Sequence, residues 1–319
     1  MRFNTVLIDG RHLLFRVAAT LKGLTADSTT EGTPTGGIFG FIKALMAIYD
    51  DHAAPGAMVI ICWEGGANVR QALYSEYKMG ERAKLRDRDE VEPIMVTIND
   101  QMRILQGLLR STGIRQAYSP EWEADDTMGR LAVMSAKTGT VCIYSGDYDM
   151  HQLVGGNIYA VSADRNPHRR GPDIVWNAAR VEERWGVEPR RVIDFKALAG
   201  DKGDNYDGCP GIGDVWAKKL LTAYATLDDI FDAASAGEVS GEWLGTPWRS
   251  KPVAQKLLNG WENVLLSQKL ATINVEAPLK FIKGEYNEAK LKELFAGLGF
   301  ATLNRPTVFA QLQRIVGLI

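Results

Sequence analysis

Residues Thr5–Gly10 read TVLIDG, a short run of mostly apolar residues closed by a carboxylate and a glycine. A run of this kind, bounded by a turn signal, predicts a buried strand over Thr5–Ile8 that ends at Asp9. The pattern recurs. Ala57–Trp63 (AMVIICW) predicts a second buried strand ending at Glu64, and Thr140–Tyr144 predicts another ending before Asp147. Ile114–Ala117 reads as a shorter strand. Between these runs, Gly36–Asp50, Ile94–Leu109 and Glu123–Ala136 carry helical apolar spacing. Strand–helix alternation predicts an α/β fold: a central, mostly parallel sheet flanked by helices on both faces.

Around Pro189 the pattern changes. Val192–Ala199, Val215–Tyr224, Leu227–Ala234 and Val253–Gln268 read as helices, and Lys280–Ile282 is the remaining strand candidate. Ala234–Lys251, rich in Gly, Ser and Trp, reads as a loop. Glu288–Ile319 is again mostly helical. The expected division is an α/β domain over 1–186 and a smaller, mainly helical domain over 187–319.

Composition narrows the classes. In 319 residues, 37 Lys and Arg face 39 Asp and Glu, a net charge of −2 that excludes a simple polybasic nucleic-acid binder. Hydrophobic residues make up 45% of the chain, enough for a core and against disorder. Cys62, Cys142 and Cys209 are far apart and odd in number, which predicts a reducing, cytoplasmic setting without a disulfide framework. No apolar stretch approaches the roughly 18 residues of a membrane span. His12, His52, His151 and His168 show no metal-ligand spacing, and neither a Gx4GK[ST] loop nor a GxSxG elbow occurs.

The carboxylates are more informative. Asp9, Glu64 and Asp147, with Asp149 behind it, all follow predicted parallel strands, and in an open parallel sheet ligands bind at that edge. Singly, each acid has an ordinary explanation as a helix cap or turn former. Three at one edge weigh against it. EWEADDTMGR adds Glu123, Asp125 and Asp126 at a helix start, where the helix dipole alone favours one or two acids. GDKGDNYDG adds Asp201, Asp204 and Asp207 in a glycine-rich loop. So many carboxylates in one cleft cannot all stay ionised uncompensated. Oxygen-only donors select hard ions such as Mg²⁺ or Mn²⁺, and two such ions roughly 4 Å apart clamp a scissile phosphate.

Five motifs in order carry a family resemblance. VLIDGRHLLFR (Val6–Arg16), TPTGGIFGF (Thr33–Phe41), CWEGGANVRQALYSEYKMGER (Cys62–Arg82), EWEADD followed by SGDYDMHQLV (Ser145–Val154), and FKALAGDKGDNYDGCPGIGDVWAKKLL (Phe195–Leu221) resemble the flap endonuclease-like 5′-nucleases. These include the 5′→3′ exonuclease domain of DNA polymerase I and its stand-alone phage and bacterial relatives. With no polymerase motif following, the stand-alone form is expected. The fold this implies is PIN-like, with a helical arch around 70–95 and a helix–hairpin–helix at about 203–222.

The resemblance also implies roles. Asp9, Glu64, Glu123 and Asp125 would surround a first metal. Asp147, Asp149, Asp201 and Asp204 would form a second cluster, with Asp126 near both. Glu64 departs from the family, which has Asp there. Lys78 and Arg82 would neutralise the phosphate, and Tyr77 would stack on a base. Arg70 and Lys84, with Arg86 and Arg88 beyond it, would contact DNA, although a charge-alternating segment is by itself an ordinary solvated helix. Lys196 would be a further active-site or DNA-backbone-contacting base; the ordinary alternative is that it pairs with Asp201 or a neighbouring acid. Gly208, Gly211, Ile212 and Gly213 would form a hairpin against duplex phosphates, helped by Lys218 and Lys219, with K⁺ on its carbonyls. The expected function is a Mg²⁺- or Mn²⁺-dependent 5′→3′ exonuclease and flap endonuclease. Its expected partner is DNA with a free 5′ end: a flap, a nicked or gapped duplex, or an RNA–DNA hybrid. It would act as a monomer. The alternative is a DNA-binding protein that keeps the fold without catalysis.

Overall fold

The structure is a computed structural model, described here for residues 1–20, 35–66, 68–79, 92–163, 171–239 and 250–319. Seven strands form one sheet: β1 (Phe3–Asp9), β2 (Ala53–Trp63), β3 (Arg115–Tyr118), β4 (Val141–Tyr144), β5 (Ile158–Ser162), β6 (Ile174–Trp176) and β7 (Lys280–Ile282). Their order is β6-β5-β4-β1-β2-β3-β7. The inner strands pair in parallel, and β6 and β7 close the two edges antiparallel. The chain leaves β1 toward β2 on one side and later returns to β4 on the other. The end of β1 is therefore a topological switch point, where open α/β sheets bind ligands.

Strand β1 is buried on both faces. Val6 and Ile8 face α1 (Gly10–Thr20), α2 (Gly36–His52) and α4 (Glu92–Thr112), which follows the short α3 (Val69–Leu73). Leu7, one residue out of phase, faces α5 (Ala124–Ser135) and the helical second half. That half contains α6 (Ala178–Trp185), α7 (Val192–Ala199), α8 (Asp214–Ala223), α9 (Leu227–Ser235) and α10 (Ser250–Ala271). A strand covered on both faces loses the polar alternation of a surface strand, so TVLID reads as a continuous apolar run. Gly10 lets α1 start against β2, since a Cβ there would lie 2.6 Å from the Trp63 ring.

The structure adds elements the pattern did not show. Strands β5 and β6 were not expected. Strand β5 hydrogen-bonds to β4 and β6 to β5, and neither alternates in polarity. The chain end also departs from the expected division. Strand β7 pairs with β3, and α11 (Glu288–Gly297) and α12 (Pro306–Ile315) pack Leu291, Phe295, Phe309, Leu312 and Ile315 into the core that holds Val6 and Ile8. Residues 280–315 thus complete the α/β layer instead of extending the helical half. Among the described residues, no helix is long and apolar enough to cross a membrane.

Candidate active site

At the carboxyl edge of the parallel strands lies a cleft of about 530 Å³. Asp9, Glu64, Glu123, Asp125, Asp147, Asp149, Asp201 and Asp204 line it, together with Arg11, His12, Lys78 and Lys196. Local structure explains how they arrive there. Asp9 ends β1 and accepts the His12 backbone N–H at 2.9 Å, so it also caps α1. Its second oxygen accepts the Ser145 hydroxyl at 3.2 Å. That hydroxyl oxygen in turn accepts the Asp147 N–H at 3.1 Å, tying the ends of β1 and β4 together. Asp147 caps the 3-10 turn Tyr148–Leu153 through the Asp149 N–H. The cap explanation and the site explanation hold together for these acids.

Asp125 differs from its neighbours. Among the described residues its carboxylate accepts no hydrogen bond, although it lines the same cleft as Asp147 and feels its charge. Burial, then the negative charge of Asp147, raises it well above the usual carboxylate range. Asp9 is raised by burial, with Asp147 adding and the His12 contacts opposing. Burial also raises Asp204, against Lys78, with Asp147 and Asp201 adding. This is a set of oxygen donors short of positive charge, and it fits hard divalent cations. Among the described residues no three His, Cys, Asp or Glu side chains already close into a cage. Protein cations are interleaved between the acids instead.

Glu123 is saturated. Asn68 Nδ2 at 2.9 Å and Lys78 Nζ at 2.5 Å reach Oε1; Arg70 Nη1 at 3.2 Å and the Tyr77 hydroxyl at 3.1 Å reach Oε2. Burial would raise this carboxyl, but Lys78 and Arg70 outweigh it and hold it below its ordinary value. Lys196, also buried, bonds to Asp149 and lies 2.8 Å from Asp201 Oδ2. Burial would raise Asp201 too, and Lys196 more than offsets it. Asn68 and Ser145 were not singled out in the sequence; Asn68 carries the ordinary signal of a helix cap, which it also is.

Several expected roles are corrected. Asp126 does not line the cleft. It is fully buried, and Arg70 takes both its oxygens, with the Glu123 and Asn274 N–H groups adding to them. It is a structural anchor, not a donor between two metals. Arg70 is buried and spends all five N–H groups on Asp126, Glu123 and the Leu270 and Thr272 carbonyls, leaving none for DNA. Tyr77 is 2% exposed, so its ring has no face for a base. Its hydroxyl lies between Glu123 and Asp204 Oδ2, the latter at 3.2 Å. For Lys196 the structure shows the pairing alternative, with Asp149 and Asp201 as its partners at the cleft. Glu64 stands half-exposed at the rim, 3.7 Å from Arg11 Nε. Arg82 and Lys84 lie outside the described residues.

The hairpin joins α7 to α8. Gly208 (φ +63°) is buried, with its N–H on the Ser267 hydroxyl at 3.2 Å and no room for a Cβ beside the Gly200 backbone. Ile212 is buried as well. These two are buried and build the turn. Gly211 (φ +79°) and Gly213 are exposed at its tip, and the Gly211 carbonyl accepts Lys256 Nζ at 3.2 Å. Lys218 packs its stem near Gly186, and Lys219 Nζ lies 5.5 Å from the Trp216 ring centre.

Comparison with known proteins places this geometry. A model of the 5′-3′ exonuclease N-terminal resolvase-like domain matches residues 4–186, and one of the 5′-3′ exonuclease C-terminal SAM fold matches 187–293. DNA polymerase I of Bacillus subtilis is 31% identical over 95% of the chain, and that of Pseudomonas aeruginosa 32% identical over 92%. The chain spans about a third of the length of these relatives, 32% and 30%. Among solved structures, the T5 D15 protein co-crystallized with metal ions superposes with a TM-score of 0.63 at 18% identity, over 98% of this chain and 99% of that one. The catalytic core of Rad2 in complex with DNA substrate gives 0.61 at 16% identity, over 98% and 93%. At these identities the structural likeness is one of fold, and the two domain models, which together cover residues 4–293, show that the chain belongs to the 5′–3′ exonuclease family.

Proposed function

We propose that this chain hydrolyses DNA phosphodiester bonds near a free 5′ end, as a divalent-metal-dependent 5′→3′ exonuclease and flap endonuclease. The carrying observation is the Asp125 carboxylate, which among the described residues accepts no hydrogen bond and lies close enough to Asp147 to feel its charge, in a cleft at the switch point of the sheet. Asp9, Asp125 and Asp147 would hold one Mg²⁺ or Mn²⁺, with Glu64 at the rim. Asp147, Asp149, Asp201 and Asp204 would hold a second. Bound ions of this kind polarise the scissile phosphate and supply an activated water.

The chain's own groups do the rest. Lys78 and Arg11 set positive charge on the cleft wall, where phosphate oxygens gain charge during cleavage. Lys78 sits at φ +61°, held by its N–H on the Asp204 carbonyl at 2.8 Å, so its ammonium is aimed by the loop that carries the second acid group. In the helical half, the exposed Gly211–Gly213 tip would lie along duplex phosphates, a contact that reads shape and not sequence. Flapped, nicked or gapped duplexes, including those with an RNA strand, are the substrates this arrangement suits, with one chain sufficing. In place of K⁺ alone at the hairpin carbonyls, the Lys256 ammonium takes part of that role.

The test is a labelled 5′-flap duplex incubated with Mg²⁺ and with EDTA. Product should appear only with the metal. Asp125→Asn and Asp147→Asn should abolish cleavage while the duplex is still bound. Full turnover by both variants in Mg²⁺ would sink the proposal, and absence of metal-dependent product from the unaltered chain would make it a binding protein.

A further inference from the structure

We propose that Lys196 is a built-in counter-ion of the second carboxylate group, and that its charge keeps this group's affinity for divalent cations low until a phosphodiester arrives. The inference rests on the metal-dependent reading above and goes beyond it. It starts from burial. The Lys196 side chain is 6% exposed, against 30% for Lys78. Lys78 is partly open to solvent; Lys196 is enclosed at the end of α7. Its ammonium joins two acids from separate segments, Asp149 in the turn after β4 and Asp201 in the loop after α7.

A cation entering this group meets oxygens already shared with a fixed positive charge a few ångströms away. Like charges at that separation in a partly desolvated site repel strongly. Asp147 and Asp204 remain as donors, but Asp149 and Asp201 must be shared with, or taken from, the ammonium. A scissile phosphate brings negative charge to the same place and offsets the repulsion. Ion and substrate would therefore bind the second group together, and DNA-free protein would hold its second ion weakly.

The experiment is Mn²⁺ binding to the full chain without DNA, followed by the electron paramagnetic resonance signal of free Mn²⁺. Lys196→Met should tighten the weaker class of sites by roughly tenfold or more, while metal-free thermal stability falls because Asp149 and Asp201 lose their partner. Unchanged or weaker Mn²⁺ binding in that variant overturns the proposal, since a lysine that merely arranges the ligands predicts a loss. If Lys196→Met does not fold, Lys196→Arg carries the test. Its fork grips two carboxylates more firmly than an ammonium, so Mn²⁺ binding should weaken several-fold; unchanged or tighter binding overturns the proposal. An unaltered chain that binds no Mn²⁺, with or without DNA, overturns the metal-dependent reading itself and this inference with it.

Discussion

Arg70 grips Asp126 with both ends of its guanidinium, Nη1 lying 2.7 Å from Oδ2 and Nη2 2.8 Å from Oδ1. The pair is buried, and the same guanidinium holds the Leu270 and Thr272 carbonyls at the end of α10. The segment leading to Lys78, the helix that carries Asp125, and the helical half are thus joined at one point. Removing one partner leaves an uncompensated buried charge, so Arg70→Leu and Asp126→Asn should each lower unfolding free energy by about 3–5 kcal/mol. Urea unfolding measures this. Because Asp126 faces away from the cleft, Asp126→Asn should keep its Mn²⁺ affinity in the folded fraction. A variant of normal stability that has lost Mn²⁺ would restore Asp126 as a metal donor.

Tyr77→Phe separates two roles for one ring. A stacking ring survives the change; a hydroxyl held between Glu123 and Asp204 does not. A hydrogen bond to a charged group contributes about 1.5–3 kcal/mol, so kcat on a flap substrate should fall roughly tenfold or more. The KM for DNA should hardly move. A raised KM at constant kcat would put the ring back against a base.

The acids of the cleft were legible because strand ends and helix starts announce themselves in one dimension. Asp9, Asp125 and Asp147 follow from TVLID, EADD and the run before SGDYD. The roles of Arg70 and Tyr77 were not legible, because a cation or a phenol in a basic, polar stretch looks the same whether it meets DNA or a buried carboxylate; for Lys196 the sequence left DNA contact and pairing with Asp201 both open, and the structure shows the pairing. What decides is a partner 53 to 56 residues away for Arg70, and 46 and 127 residues away for Tyr77. Strands β5 and β6 escaped for a related reason: short apolar runs of three to five residues become strands only by pairing with a neighbour.

Acid sensitivity has an identifiable source at His151. Trp185 Nε1 donates to its Nδ1 at 2.9 Å, which requires the neutral ring. Burial, then the nearby Arg184 cation, pushes His151 down to about 4, with Asp147 opposing. In the window between that value and the ordinary 6.5, the unfolded chain binds a proton that the folded chain refuses. Unfolding free energy therefore falls as pH drops through the window, with a slope of at most about 1.4 kcal/mol per pH unit from this group. His151→Gln should flatten the profile from pH 6.5 to 4 relative to the unaltered chain. Parallel profiles for the two proteins would move the acid sensitivity elsewhere.

The chain end should behave as part of the nuclease layer. Strand β7 pairs Lys280, Phe281 and Ile282 with Tyr118, Ala117 and Gln116 of β3, and Phe295 is fully buried beside the helices that cover β1. Ending the chain at residue 279 exposes that apolar surface and the β3 edge together, so the truncated protein should not fold to a cooperative state. A detachable DNA-binding tail would instead leave a folded nuclease core with weakened DNA affinity. The milder substitution Phe295→Ala removes a core ring and should lower unfolding free energy by about 3–5 kcal/mol. Because α11 and α12 pack on the face of the sheet with α1 and α2, the same variant should leave DNA affinity of the folded fraction unchanged. Circular dichroism of the truncation and urea unfolding of Phe295→Ala decide it: a cooperative melt for residues 1–279 would return 280–319 to the helical half.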